Sequence, residues 1–271
     1  MRVHIISDME GVAGIVKGDQ VNGEKGGDLF EEGRKLYTEE INAAVRGAKA
    51  AGAIEIVAMD HHGAGGGYSF NSLVADLLDP DVEFVVQQEW TQYTAFLEQG
   101  VDACLLVGMH AMNGTPDGVL NHTVSGRTWQ NLWFNDTLVG ETGINAAFCG
   151  TWDCPVALVT GDEATCREAS ALLGDGVTTV PVKWGITVTS ARNLAPQRAR
   201  KLIEEGAKQA LGRLDAVRPY DPGRPCEIKV EFKSTDGVEE YKNRRGVEVL
   251  NPRLIVSRAE TWWEAWNQFF F

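Results

Sequence analysis

Short apolar segments alternate with helix-length segments through the first two thirds of the chain. Apolar runs bounded by turn residues predict strands at 3–6, 53–59, 82–86, 103–107, 156–160 and 177–182. The connecting segments predict helices at 30–51, 72–78, 91–99, 144–150 and 164–173. This alternation predicts an α/β fold with a mostly parallel open sheet flanked by helices.

The pattern changes near residue 183. Residues 226–232 alternate strictly between apolar and charged side chains, which predicts a half-exposed antiparallel strand. A charged helix is predicted at 196–211, and an aromatic helix begins near Trp262 and runs to the C-terminus. We therefore expect two domains, an α/β domain at 1–182 and a smaller α+β domain at 183–271 that provides contacts between subunits.

Polar side chains follow the predicted strands at their carboxyl ends. Asp8 and Glu10 follow the first strand, His62 the second and His110 the fourth. In open α/β sheets the ligand crevice lies outside this edge. Asp8 and Glu10 are alternate residues of an extended segment, so their carboxylates face one side and repel unless a metal ion or a base lies between them. The alternative is that both are solvated residues of a turn.

Four of the five histidines lie in or directly after loops at strand ends: His61, His62, His110 and His122. With the carboxylates of Asp8, Glu10 and Glu141, they provide enough ligands for two divalent ions, and this mixture of groups suits zinc. His61 and His62 point in different directions in extended backbone, so we expect only one of them to bind metal. Each histidine taken singly is compatible with a structural role, but their convergence at one sheet edge favours a metal site.

Composition narrows the choice of function. The 271 residues carry a formal net charge of −13, which argues against nucleic acid as a partner. No apolar stretch approaches the roughly 18 residues of a membrane-spanning helix, and we expect neither a signal peptide nor a membrane partner. Five cysteines without a C-x-x-C motif predict free thiols in a reducing compartment, and hence a cytoplasmic location. The glycine-rich segment 63–67 lacks the Lys-Ser or Lys-Thr of a phosphate-binding loop.

Several spaced motifs together resemble the D-aminopeptidase family of di-zinc metallopeptidases. They are Asp8-Met9-Glu10-Gly11, Asp60-His61-His62, Gly108-Met109-His110, His122 and Val139-Gly140-Glu141-x-Gly143-x-Asn145. The resemblance implies two zinc ions per chain, with Asp8 as the bridging ligand. It implies that Glu10 and His62 complete one metal site, that His110 and Glu141 complete the other, and that His122 is catalytic.

The resemblance also implies a ring-shaped homo-oligomer, commonly a decamer, whose internal channel admits only short peptides. The expected activity is that of a zinc-dependent aminopeptidase that releases an N-terminal D-amino acid from short peptides or amides with metal-activated water. Two alternatives stay open on the sequence. One is a metal-dependent amidase that acts on a non-peptide amide, and the other is a non-catalytic α/β protein that binds a polar metabolite.

Overall fold

The computed structural model describes residues 1–88 and 93–270. The strands are β1 Arg2–Ser7, β2 Glu55–Asp60, β3 Glu83–Val85, β4 Ala103–Met109, β5 Trp129–Phe134, β6 Thr137–Val139, β7 Val156–Asp162, β8 Thr178–Thr187, β9 Ser190–Asn193, β10 Cys226–Phe232, β11 Val247–Asn251 and β12 Leu254–Ala259. The α-helices are α1 Asp28–Ala50, α2 Ala95–Glu98, α3 Glu141–Gly150, α4 Glu163–Leu173, α5 Pro196–Leu211, α6 Asp236–Tyr241 and α7 Trp262–Asn267.

The larger sheet has seven strands in the order β3-β2-β1-β4-β7-β8-β9. All neighbours are parallel except β8 and β9, which pair antiparallel. The predicted α/β fold with a mostly parallel sheet is therefore confirmed. The chain builds outward from β1 in both directions, so the strand order reverses between β1 and β4. Such a switch point opens a crevice at the carboxyl edge of the sheet.

The smaller sheet has five antiparallel strands in the order β11-β12-β10-β5-β6. Its central strand β10 matches the predicted strand, and its side chains alternate between buried and half-buried. Strands β5 and β6 come from before residue 182, whereas β8 of the larger sheet continues past residue 183. The two sheets therefore draw on both predicted segments, and the domain boundary itself stays a prediction.

Each face of the larger sheet is covered differently. On one face, β1 side chains such as Ile5 pack with Ile41 of α1 and Ile203 of α5 in one apolar core. On the other face, Leu106 of β4 belongs to a core shared with α3, α7 and the inner side of the smaller sheet. The C-terminal aromatic helix α7 is thereby held beside the carboxyl edge of the larger sheet.

Local differences from the predicted elements have simple causes. Residues 72–78 form only a single 3-10 turn, Ala75–Leu77, because the segment is short and Pro80 disfavours helical backbone in the residue before it. Residues 91 and 92 of the predicted helix 91–99 lie outside the described residues, and α2 occupies only Ala95–Glu98. Within the described part of the chain, no helix is long and apolar enough to cross a membrane.

Candidate metal centre

Two glycines bring the ends of β1 and β4 together at the switch point. The amide of Gly11 donates to the carbonyl of Gly108 at 2.8 Å. A Cβ atom at Gly11 would lie 1.9 Å from the carbonyl oxygen of Met109, and one at Gly108 would lie 2.1 Å from that of Asp8. Gly108 also has a φ of +74°, which other residues rarely adopt. This close approach places Asp8 directly beside His110.

The side chain of Asp60 fixes the loop that carries His62. Its Oδ1 accepts the backbone amide of His62 at 3.1 Å and the hydroxyl of Tyr37 at 3.0 Å, and its Oδ2 accepts the amide of Ser72. Burial raises the pKa of Asp60 despite these donors. All of these partners are in the protein, so Asp60 positions the loop and does not face the predicted metal site.

The carboxylate of Asp8 lies between two imidazoles. Its Oδ1 is 3.0 Å from Nδ1 of His62, and its Oδ2 is 3.2 Å from Nε2 of His110. Glu10 approaches the same side of His62, with Oε2 at 3.1 Å from Nδ1. All four side chains are buried. One carboxylate thus faces two separate donor groups, as a ligand shared by two ions must.

Glu141 lies in the first turn of α3 and faces two histidines. Its Oε1 is 3.5 Å from Nε2 of His110 and 3.6 Å from Nε2 of His122, and it also accepts the amide of Val124 at 2.8 Å. The rings of His110 and His122 stack with centroids 4.1 Å apart. The structure therefore brings together all six residues that the sequence singles out.

Each of the three histidines is oriented by a backbone carbonyl on its outer side. The contacts join His62 Nε2 to Val21 O at 2.8 Å, His110 Nδ1 to Ala111 O at 2.9 Å and His122 Nδ1 to Leu120 O at 2.9 Å. A carbonyl can only accept, so each outer nitrogen carries a proton. The inner nitrogen faces the carboxylates, and it would offer a lone pair to a metal ion once it gives up its own proton. Metal-binding histidines in proteins are oriented in this way.

Burial and opposite charge compete in this cluster. Burial alone would raise the pKa of Asp8, but the imidazoles of His110 and His62 hold it well below its usual value. Burial likewise opposes charge on His62 and His110, yet the neighbouring carboxylates raise the pKa of both imidazoles well above the ordinary value. The pKa of Glu141 is lowered, against its burial, chiefly by His110. Each group is held in its charged form by the others.

The donor set fits divalent metal ions. Asp8, Glu10 and His110 present ligand atoms within 4.8 Å of one another, and so do His110, His122 and Glu141. Glu10 Oε2 and His110 Nε2 are buried, and their contacts with His62 and Asp8 at 3.1 and 3.2 Å do not have hydrogen-bond geometry. Buried polar atoms are rarely left without partners unless an ion or ligand supplies one. Mixed nitrogen and oxygen donors of this kind suit zinc.

His61 occupies a different position from its neighbour. Its ring lies 6.4 Å from that of Phe70, and it lines the same cavity as Asp8 and Glu10, the two carboxylates that pair with Nδ1 of His62. Burial lowers the pKa of His61, so the neutral form is favoured. That only one of the two adjacent histidines binds metal stays a prediction.

Two residues that the sequence did not single out support the site from behind. Lys183 is fully buried on β8, and its Nζ donates to the backbone carbonyls of Glu10, Val12 and Ile15. Asp162 accepts the amide of Val119 at 2.7 Å, in the loop that leads to His122. A lysine at the end of an apolar strand was the available signal for Lys183, because a buried charge requires partners.

Adjacent carboxylates and imidazoles at the switch point of a parallel sheet define a candidate di-metal centre of the kind that hydrolases use. Comparison with known proteins identifies the family. The model of the D-aminopeptidase family matches residues 1–271, and the chain belongs to that family. The prediction made from the motifs is thus confirmed.

Two relatives illustrate the similarity. A D-aminopeptidase of Bacillus subtilis (strain 168) is 30% identical over 253 residues, which cover 92% of this chain and 88% of the relative. The solved structure of the Zn-dependent D-aminopeptidase DppA from Bacillus subtilis, a self-compartmentalizing protease, is 27% identical, with a TM-score of 0.88 over 99% of this chain and 95% of that one.

Proposed function

We propose that this protein is a zinc-dependent aminopeptidase that releases the N-terminal D-amino acid from short peptides or amides. The proposal rests on membership of the D-aminopeptidase family and on one observation in particular. Three histidines at the sheet edge each donate outward to a backbone carbonyl and so turn the other ring nitrogen toward the carboxylates of Asp8, Glu10 and Glu141. Similarity to a zinc-dependent relative supports zinc as the metal.

We assign two zinc ions to each chain. Asp8 would bridge them, because its two oxygens face His62 and His110 separately. Glu10 and His62 would complete one site, and His110 and Glu141 the other. Zinc in such a site supplies Lewis acidity, which polarises the scissile carbonyl and makes water more acidic.

His122 is the group that we assign to proton transfer. Its side chain is 22% exposed, so a substrate can reach it, whereas His110 is almost fully buried. The contact with Leu120 O keeps the proton on Nδ1 and leaves Nε2 as the acceptor. Nε2 would take a proton from the attacking water and then deliver it to the leaving amine, while the contact of Nδ1 with Leu120 O orients the ring. The ligand atoms of His122, His110 and Glu141 lie within 4.8 Å of one another, so His122 is also placed where it could bind a metal ion. Variants of His122 must therefore be assayed for metal content as well as for turnover.

The first test combines metal content with activity on one sample. Elemental analysis of protein purified without chelator should give about two zinc ions per chain. The same sample should hydrolyse the anilide of D-Ala and not that of L-Ala. Two ions with no cleavage of either anilide would favour an amidase that acts on another class of amide. A chain that holds no metal, and takes up none when zinc is added, would refute the assigned ligands and favour a metabolite-binding protein.

We further propose a homo-oligomer, with a decamer as the expected form, and a cytoplasmic location. The related DppA is a self-compartmentalizing protease, which supports assembly of several subunits. All five cysteines are free and buried, as expected for a reducing compartment. Native mass spectrometry of the zinc-loaded protein measures the number of subunits directly.

A further inference from the structure

A cavity of about 220 Å³ opens directly beside the candidate metal centre. Part of its wall is polar and is formed by the cluster already described, including Asp8, Glu10 and Glu141. Another part is apolar and includes Ile144, Trp266 and Phe270. A ligand in this cavity would therefore meet both the carboxylates and imidazoles of the cluster and an apolar wall.

The apolar wall is rigidly supported. Ile144 follows Glu141 by three residues on α3, so both side chains lie on one face of the helix. Trp266 is 4% exposed and stacks on Trp262 with ring centroids 5.4 Å apart. The ring of Phe270 lies 5.1 Å from that of Trp266. The wall is thus built into the core around the smaller sheet and is formed before a ligand binds.

A second and more open space begins at the same residues. This groove of about 600 Å³ shares Glu10, His62 and His122 with the cavity, and it continues between the segments 18–24 and 120–127 toward solvent. The groove differs from the cavity in character because its far walls are polar and include Arg127 and Glu24. A cavity with an apolar wall and a more open groove with polar far walls therefore meet at Glu10, His62 and His122.

An aminopeptidase needs that arrangement, because one side chain lies before the scissile bond and the rest of the substrate lies after it. Resting on the proposed function, we infer that the cavity walled by Ile144, Trp266 and Phe270 receives the side chain of the N-terminal residue, and that the preferred residue is large and apolar. The groove receives the remainder of the peptide. Side chains of α3 and of the C-terminal segment thereby set the specificity of a site whose proposed ligands lie between residues 8 and 141.

The size of the cavity and the charges of its lining residues support a large apolar side chain at the N-terminus of the substrate. An apolar protein cavity of about 150 Å³ is large enough to bind benzene, and this cavity of about 220 Å³ also includes the space beside the polar cluster, so its apolar part suits a phenyl or isobutyl group and nothing larger. No lysine or arginine is among the cavity-lining residues that the structure describes, and Ile144, Trp266 and Phe270 offer an acidic side chain no partner. An alanine side chain would leave the apolar wall without contacts.

The test measures kcat/KM for the p-nitroanilides of D-Ala, D-Leu, D-Phe and D-Glu with zinc-loaded enzyme. We expect the D-Leu and D-Phe substrates to exceed D-Ala by about 10- to 100-fold, because each methylene buried in an apolar pocket favours the larger substrate. The D-Glu substrate should be the poorest. Equal or better turnover of D-Ala than of D-Phe would overturn the inference and leave the proposed aminopeptidase function intact.

A matched pair of variants locates the specificity in the wall. Phe270→Ala should lower the ratio of D-Phe to D-Ala turnover by about tenfold. Trp263→Ala is the control, since Trp263 is another aromatic residue of the C-terminal segment but packs on Phe148 and Trp152 and does not line the cavity. The ratio of D-Phe to D-Ala turnover in Trp263→Ala should stay at the wild-type value. Because a folding defect lowers both rates together, the ratio separates specificity from stability.

Binding gives a readout that does not depend on turnover. Calorimetric titration with D-phenylalaninamide and D-alaninamide should show tighter binding of the former by wild-type protein and loss of that difference in Phe270→Ala. If no anilide is cleaved but the difference in binding is present, the proposed function fails and the inferred pocket stands. Equal binding of the two amides by wild-type protein contradicts the pocket whether or not the protein is an enzyme.

Discussion

Replacement of Lys183 by methionine tests how the candidate metal centre is held in place. The ammonium of Lys183 has three N–H donors, and it gives them to the carbonyls of Glu10, Val12 and Ile15, the last two at 3.0 and 2.6 Å. Burial lowers the pKa of Lys183 to about 8, although Asp162, Glu40 and Glu10 oppose the shift. Lys183→Met keeps the length and apolar stem of the side chain but removes all three donors.

The expected loss of unfolding free energy follows from the backbone carbonyl oxygens that Lys183→Met leaves without a donor. Val12 O keeps a second donor, the amide of Ile15 at 3.2 Å, so the loss falls mainly on the carbonyls of Glu10 and Ile15. A buried acceptor that loses its partner costs about 1–3 kcal/mol, so the free energy of unfolding should fall by about 2–6 kcal/mol. That is a large part of the roughly 5–15 kcal/mol that stabilises a typical domain.

The same change should loosen Glu10 and weaken one metal site. Urea unfolding of the chelator-treated protein measures stability, and elemental analysis after dialysis against zinc measures metal content, which should fall from about two ions toward one. Lys201→Met is the matched control, because Lys201 is 77% exposed and only its pair with Glu205 is lost. Its stability should change by less than about 0.5 kcal/mol. If Lys183→Met kept both its metal content and its unfolding free energy, the reasoning would be refuted.

Three further predictions concern the proposed catalytic group, the bridging ligand and a buried histidine. His122→Ala should retain both zinc ions and lose about 10²- to 10⁴-fold in kcat, and full activity would exclude the proton-transfer role. Asp8→Ala should lose both ions, whereas loss of only one would show that Asp8 does not bridge. Burial lowers the pKa of His4 to about 4, so between about pH 6.5 and 4 the unfolded chain binds a proton that the folded chain does not. The free energy of unfolding should therefore fall by up to about 3 kcal/mol as the pH drops through that window. Burial raises the pKa of Glu40 to about 7, which changes stability with pH in the opposite direction. Denaturation of His4→Gln and of wild type at several pH values separates the two effects, because both proteins keep Glu40. If the unfolding free energies of the two proteins changed in parallel with pH, the role of His4 would be contradicted.

The parallel sheet was predictable because its signal is local. Buried parallel strands are short apolar runs, and the helices between them have their own periodicity. The predicted helix at 196–211 and the predicted strand at 226–232 match α5 and β10 at both ends. Strands β9 and β11 were missed because both are short, largely exposed or half-buried, and at the edge of a sheet, where neither face needs a continuous apolar pattern.

The identity of the candidate ligands was also largely encoded in the sequence. Carboxylates and imidazoles that follow successive parallel strands must meet at one edge of the sheet, and Asp8, His62 and His110 do so. Residue type alone limits the chemistry to metal binding or proton transfer. Which histidine nitrogen faces inward could not be predicted, because it depends on carbonyls such as Val21 O, 41 residues away from His62 in the chain.

By itself the sequence determined the class of fold, the residue types at the carboxyl edge and the family, because the type of each element and the chemistry of the ligands follow from local patterns. Only the tertiary structure decided the order of the strands and what surrounds those ligands. Lys183 reaches the carbonyl of Glu10 across 173 residues, and Trp266 and Phe270 wall a cavity that Asp8 also lines. Such contacts arise from the packing of two sheets and α7 around shared cores, and no periodicity along the chain records which distant residues that packing brings together.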